Sequence, residues 1–325
     1  MAQRWVPGDR TAPAEGPASE RPAEAPTGLA GRTWRAAIGR TVKEFKADNL
    51  SDWAAGLTYY GVLAIFPALL ALVSILGLLG SSSIQPLIDN LAPLAPGAAR
   101  DVITNALKQL ERNQGQAVSA LVLGILLALW SASGYIAAFM RASNAVYDIG
   151  EGRPVWKTLP VRLGVTVAVV LLLAAIAVGV VFTGTLADRT GQLLGIGHTG
   201  VTVWNYAKWP VLVILFALVI ALLYWAAPNV RRGFSWVTPG SFVAVLIWIV
   251  ISALFALYVG HFSSYNRTYG SLAAVIIFLM WLWLSNTAIL LGLEFNAELE
   301  RGRAIETGHP ADEEPYAEPR DTRKL

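Results

Sequence analysis

The chain has 325 residues, 55% of them hydrophobic and only 14% charged, with a net charge of +3 and a mean hydropathy of +0.51. A water-soluble protein carries about a quarter charged residues, so the composition excludes a soluble two-domain fold and indicates an all-α, polytopic membrane protein. The lack of cysteine excludes disulfides, Fe–S ligation and thiolate metal sites, and the small basic excess fits juxtamembrane Lys and Arg rather than nucleic-acid binding.

Residues 1–30 are rich in Pro, Ala, Glu and Gly without an apolar period, which predicts a disordered N-terminal tail. No continuous apolar core follows the early arginines, so this tail does not read as a signal peptide. From Arg32 to Lys46, Trp34, Ile38, Val42 and Phe45 form one helical stripe beside Arg32, Arg35, Arg40, Lys43 and Lys46. The pattern predicts a basic amphipathic helix, lying either in the headgroup plane or against its own bundle.

Residues 31–300 form the membrane domain, with six apolar stretches at about 54–80, 117–140, 163–187, 209–226, 241–260 and 271–293. Each can cross a hydrocarbon core that needs about 20 helical residues. Alternating the loops places 19 of the 25 Lys and Arg on one side with both termini, which predicts cytoplasmic termini. The first exterior loop, Ser81 to Gln116, has Ile103, Ala106, Leu107 and Leu110 at helical spacing and predicts short amphipathic helices. Residues 301–325 return to a polar, Pro-containing composition and predict a disordered cytoplasmic tail.

Polar groups within or beside the spans are the candidates for function. The first span carries Thr58, Tyr59 and Tyr60 before Pro67, and Pro67 removes a backbone hydrogen bond, giving either a broken helix lining a pathway or a packing kink. The second span places small residues at Ser131, Gly134 and Ala138, which permit close helix approach, and leads from Trp130 through Arg141, Asn144 and Tyr147 to Asp148. The turn after the fifth span holds His261, Tyr265, Asn266, Tyr269 and Gly270, read as an aromatic belt. The three histidines, His198, His261 and His309, are scattered, so no metal site is expected. Glu294 and Glu298 share a helix face by their spacing of four and predict a solvated helix end paired with Arg301 or Arg303. No Walker loop, dinucleotide fingerprint, zinc-protease helix or nucleophile elbow occurs, and no catalytic residue or cofactor site is assigned.

Five segments in order carry a resemblance: TYYGVLAIFP from Thr58, WSASG at 130–134 with Asn144 to Tyr147, YWAAPN at 224–229, SYNRTYGSL at 264–272 and WLWLSNTAILLGLEFNAELE at 281–300. Together they resemble the YihY/BrkB family of bacterial inner-membrane proteins over about residues 32–300. The resemblance implies a six-helix protein of a family described as candidate transporters or virulence factors and once labelled ribonuclease BN. It implies no settled catalytic residues. It makes Tyr59, Tyr60, Pro67, Trp130, Asn144, Tyr147, Pro228, Asn229, Tyr265, Tyr269, Gly270 and Glu294 candidates for a shared functional surface. The expected role is a transporter or lipid-translocating permease in contact with membrane lipids, or alternatively an envelope scaffold with protein partners. A ribonuclease would need a basic groove and a metal carboxylate cluster, for which loops two and four offer little.

Overall fold

The computed structural model describes residues 31–78, 114–181, 198–233, 235, 238–261 and 271–325. The expected N-terminal tail, the helices of loop one, and Tyr265, Tyr269 and Gly270 lie outside these residues. Among the described residues seven helices run in chain order: α1 Gly31–Ala47, α2 Leu50–Leu78, α3 Gln114–Val146, α4 Val155–Val181, α5 His198–Ala226, α6 Pro239–His261 and α7 Ser271–Glu306. Among the described residues there is no strand, only an isolated antiparallel bridge between Val230 and Pro319. Five helices are long and apolar enough to cross a membrane, over Val122–Val146, Val155–Ile176, Thr202–Ala226, Pro239–Val259 and Val275–Glu306. The first predicted span falls on α2, a continuous helix of 29 residues that contains Pro67.

Each long helix packs on the next in sequence, and α7 returns to pack on α2, so α2 to α7 close into a ring. The outer faces carry large apolar side chains such as Leu126 on α3, Leu171 on α4, Ile214 on α5 and Leu254 on α6, all exposed. That pattern suits lipid, where backbone polar groups must be satisfied within each helix. Hydroxyls obey the same rule: Thr58, Thr166, Ser285 and Thr287 donate to carbonyls four residues earlier.

Contacts between helices rest on small residues and a few polar pairs. Asn286 of α7 joins three helices, donating to the Thr58 hydroxyl of α2 at 3.1 Å and accepting from the Tyr135 hydroxyl of α3 at 2.8 Å. Gly134 of α3 faces the ring of Tyr60, which would meet an added Cβ at 3.3 Å, as the small-residue pattern predicts. At the α6–α7 crossing, a Cβ on Gly292 would meet the Ala244 Cβ at 2.5 Å, the Gly240 carbonyl oxygen at 2.6 Å and the Tyr224 hydroxyl at 2.7 Å. Two of these neighbours are fixed by backbone, so the glycine cannot be replaced without separating the helices.

The end of the bundle bearing α1, here the α1 end, gathers the α3–α4 and α5–α6 loops and the C-terminal segment. The amphipathic helix does pack on its own bundle: Ala37 and Thr41 are buried, Trp34 meets Phe295 with ring centroids 6.0 Å apart, and Arg40 pairs with Glu298. Ile38 and Val42 stay exposed on its other side.

Residues 301–325 correct the expectation of a disordered tail. The chain completes α7 to Glu306 and then doubles back across the loops. The Arg320 amide donates to the Asn229 carbonyl at 2.8 Å, the Arg231 amide to the Glu318 carbonyl at 2.8 Å, and Lys157 pairs with Asp321 at 2.8 Å. A polar composition permits this order because the segment is fixed by backbone hydrogen bonds and ion pairs rather than by an apolar face.

Gly292→Val should lower thermal stability in detergent by about 1–3 kcal/mol, the usual cost of overpacking, whereas Gly164→Ala, with nothing within 4 Å of the new Cβ, should not. Equal melting temperatures for the two variants would contradict the close α6–α7 crossing.

Candidate functional site

Sequence order scatters the polar residues of the α1 end over more than 250 positions, and two left-handed turn residues help to bring them together. Asn49, at φ 52°, separates α1 from α2, and Asp148, at φ 50°, follows the end of α3; Asn and Asp tolerate this conformation better than most residues. The turns place Asp48 and Asp148 beside α7. There Glu44, Asp48, Asp148, Glu294 and Glu298 line a cavity of about 30 Å³ with Val146, Tyr147, Arg301, Tyr316 and Ala317.

Glu294 and Glu298 are buried, 1% and 4% exposed, which corrects their reading as a solvated helix end. The reason is the docking of α1 and the C-terminal segment over that stretch of α7. Glu298 is neutralised by Arg40 and by Arg301 at 3.4 Å, while Arg301 also reaches Glu44 at 3.7 Å and stacks 4.5 Å above the Tyr316 ring. Arg303 takes no part among the described ion pairs of Glu294 or Glu298. Glu294 has no salt-bridge partner among the described residues, and its Oε2 accepts no hydrogen bond.

Burial, followed by the charges of Asp148 and Glu44, pushes the Asp48 carboxyl up to about 7. Asp148 shifts in the same direction, through partial burial and then Glu314 and Glu44; open to solvent at the rim, it is screened more strongly. Carboxylates crowded in a poorly solvated cavity hold protons near neutrality.

Beside the cavity lies a second network. The Asn144 side-chain oxygen accepts from the Asn229 amide at 2.7 Å, and its nitrogen donates to Glu151 at 3.2 Å. Glu151 binds Arg153 at 2.7 Å, which holds the Glu151 carboxyl below its ordinary range despite partial burial. Arg153 donates to the carbonyls of Ala226 and Ala227 at 3.2 and 2.7 Å, satisfying the last turn of α5. Asn229 exchanges hydrogen bonds with the Asp321 backbone, at 2.8 and 3.1 Å. A Cβ at Gly152 would overlap the Asp321 carbonyl oxygen, so glycine is needed where the C-terminal segment crosses.

Tyr147 lines the cavity and holds a further polar group. Its hydroxyl accepts from Arg232 at 2.6 Å and from Asn296 at 3.4 Å, and Arg232 pairs with Glu300 at 2.8 Å. Burial raises the Tyr147 phenol well above its ordinary value, so it stays protonated.

Of the residues singled out from sequence, the structure brings Asn144, Tyr147, Pro228, Asn229 and Glu294 together in this buried region. It does not bring in Tyr59, Tyr60 or Trp130. Tyr59 is exposed on α2, Tyr60 packs on Gly134, and Trp130 is exposed on α3 under the Arg162 guanidinium. Pro67 lies within α2, its side chain outside the described residues. Sequence reasoning missed Glu44, Asp48, Arg153 and Asp321. The Gly-Glu-Gly-Arg-Pro run at 150–154 was the signal for Arg153, since such a loop fixes a cation beside helix ends.

The family model described as Virulence factor BrkB matches residues 41–317. The chain is 30% identical over 263 residues to the ribonuclease-like protein YfkH of Bacillus subtilis (strain 168), covering 81% of this chain and 93% of that protein. It is 27% identical to the UPF0761 membrane protein azo3165 of Azoarcus sp. (strain BH72), covering 79% of this chain but 62% of that protein. A UPF0761 membrane protein of Alteromonas mediterranea is 26% identical, with 83% and 88% covered. No solved structure matches the chain.

A native-state carboxyl raised above its unfolded value binds protons that the unfolded chain has released, so stability is highest at low pH and is lost as pH rises from about 4 towards 7. Thermal stability of the purified protein should therefore fall across that window, and Asp48→Asn should flatten the slope. An unchanged slope in the variant would remove Asp48 as its source.

Proposed function

The chain belongs to the Virulence factor BrkB family, and on that premise we propose that it is a multi-pass inner-membrane transporter or lipid-translocating permease with six spans and both termini in the cytoplasm. The orientation rests on the 19 of 25 Lys and Arg assigned to the α1 side. α2 supplies the sixth span, consistent with the antiparallel order in which α2 to α7 close their ring.

The observation that carries the transport reading is Glu294. An ionisable side chain at the end of a membrane helix, buried and facing a polar cavity, marks an ion or substrate pathway more often than a structural contact. On this reading the carboxylate cavity is the cytoplasmic mouth, Glu294 and Asp48 take up a coupling proton or cation, and Glu298 is held in its ion pairs with Arg40 and Arg301. Movement of α1 or the C-terminal segment would open it.

A scaffold without transport remains the second reading, favoured by the latch of Asn229 on the Asp321 backbone, which gives a partner an ordered surface. The ribonuclease reading draws less support, because a mouth crowded with carboxylates repels a polyanion.

In proteoliposomes with a soluble dye as leak control, a fluorescent phospholipid should leave the inner leaflet faster than in empty vesicles. Glu294→Gln should slow this by roughly tenfold, equivalent to about 1.4 kcal/mol of barrier. Flux equal in parent and Glu294→Gln would remove the carboxylate from the mechanism. No flux of lipid or of small cations above empty vesicles, with a stoichiometric protein co-purifying, would replace transport by the scaffold.

A further inference from the structure

A separate feature lies on the outer surface where α2, α3 and α4 meet. Arg162 sits seven residues inside α4 and Arg141 five residues before the end of α3, about 7–10 Å along the helices from their α1 ends at 1.5 Å per residue. The Arg162 guanidinium donates to the Ser133 hydroxyl at 2.6 Å and lies 6.0 Å from the Trp130 ring centroid. The Arg141 guanidinium lies 6.0 Å from the Tyr60 ring centroid, and the two arginines are near enough to repel each other.

Among the described residues neither arginine is paired with a carboxylate, and the buried Arg162 Nε donates to nothing. By contrast, Arg153 is matched by Glu151 and Arg232 by Glu300. Two adjacent cations on a membrane-spanning bundle are costly unless an anion joins them. Trp130 is 69% exposed beside Arg162 and lies deeper along α3 than Arg141, giving an apolar wall on the acyl-chain side.

We propose that Arg141 and Arg162, with Ser133 and Trp130, form a binding site for the phosphate of an anionic phospholipid of the leaflet on the α1 side. Arginine suits this role because its planar fork can bind phosphate oxygens in pairs. The exposed Arg141 guanidinium and the Arg162 nitrogens not bound to Ser133 supply that contact, and Trp130 lies on the acyl-chain side. A lipid is favoured over free phosphate because Arg141 and Trp130 are exposed on membrane-spanning helices and none of the four residues lines the carboxylate cavity. The site shares no residue with Glu294 and its surroundings, so it stands whether the chain transports or scaffolds.

The test is native mass spectrometry and thermal shift of the full-length protein in detergent, with phosphatidylglycerol, phosphatidylcholine or inorganic phosphate added. Phosphatidylglycerol should be retained roughly tenfold more tightly than phosphatidylcholine, as expected for one to two arginines near an anionic headgroup. The preference should fall to parity in Arg141→Gln/Arg162→Gln. Arg141→Gln alone changes an exposed side chain and keeps the test available if loss of Arg162 prevents folding; it should weaken the preference at least threefold, within the same range for one arginine. Equal retention of the two lipids by the parent, or an unchanged preference in the variants, would overturn the site. Stabilisation by inorganic phosphate equal to that by phosphatidylglycerol would overturn the lipid assignment.

Discussion

The ring of helices turns its large apolar side chains outward, to Leu126, Leu171, Ile214 and Leu254, and this constraint governs the rest of the structure. In lipid, apolar area is not removed from water when helices associate, so cohesion has to come from close packing and from polar pairs. The α6–α7 glycines provide the first and Asn286, shared by α2, α3 and α7, provides the second. Most of the remaining polar capital sits at one end. There water is near enough to tolerate charge, and the loops supply partners for the helix ends.

That end is built as a connected polar layer beside the cavity. Arg153 satisfies the last carbonyls of α5, Glu151 holds Arg153, Asn144 holds both Glu151 and the Asn229 amide, and Asn229 receives the C-terminal segment. Each member depends on the one before it, so displacing the segment would expose Asn229 and unsatisfy groups down to Asn144. A buried polar chain of this kind favours two discrete arrangements over a graded one, because a half-satisfied network costs more than either closed or fully hydrated ends. The carboxylate cavity shares the C-terminal segment with this layer.

Much of this was legible in sequence and some was not, for physical reasons. Five of the span positions follow from local hydropathy, which depends on neighbours in sequence; the α1 helix also follows locally, but its buried side runs through Ala37 and Thr41 while Ile38 and Val42 of the predicted stripe are exposed. The glycine at 134 also reads locally, since its small size permits approach wherever its partner is. The burial of Glu294 and Glu298 was not legible, since their surroundings come from Arg40, a residue 258 positions away, and from a tail whose composition reads as disordered. Spacing of four placed the two carboxylates on one face correctly; it could not say that α1 covers that face. Asn144, Tyr147 and Asn229 stood out as polar groups at span ends, but their mutual contact required the ring to close.

Charge on the two sides of this end is segregated, and the segregation bears on what could cross. Five carboxylates line the cavity with Arg301, and Arg141 and Arg162, unpaired with acid among the described residues, lie away from it on α3 and α4. An anionic headgroup is therefore attracted to the perimeter and repelled from the cavity, whereas a proton or cation meets the reverse. If lipid and cation both engage this protein, they do so at separate places, and coupling between them must pass through the shared helix α3, which carries Arg141 toward the lipid site and, five residues on, Val146 toward the cavity on one rigid element. A shift of α3 by a fraction of a turn would alter both sites together, while a change confined to α1 would touch the cavity alone. The arrangement thus makes α3, rather than α2 with its Pro67, the element through which occupancy outside the ring can be felt inside it.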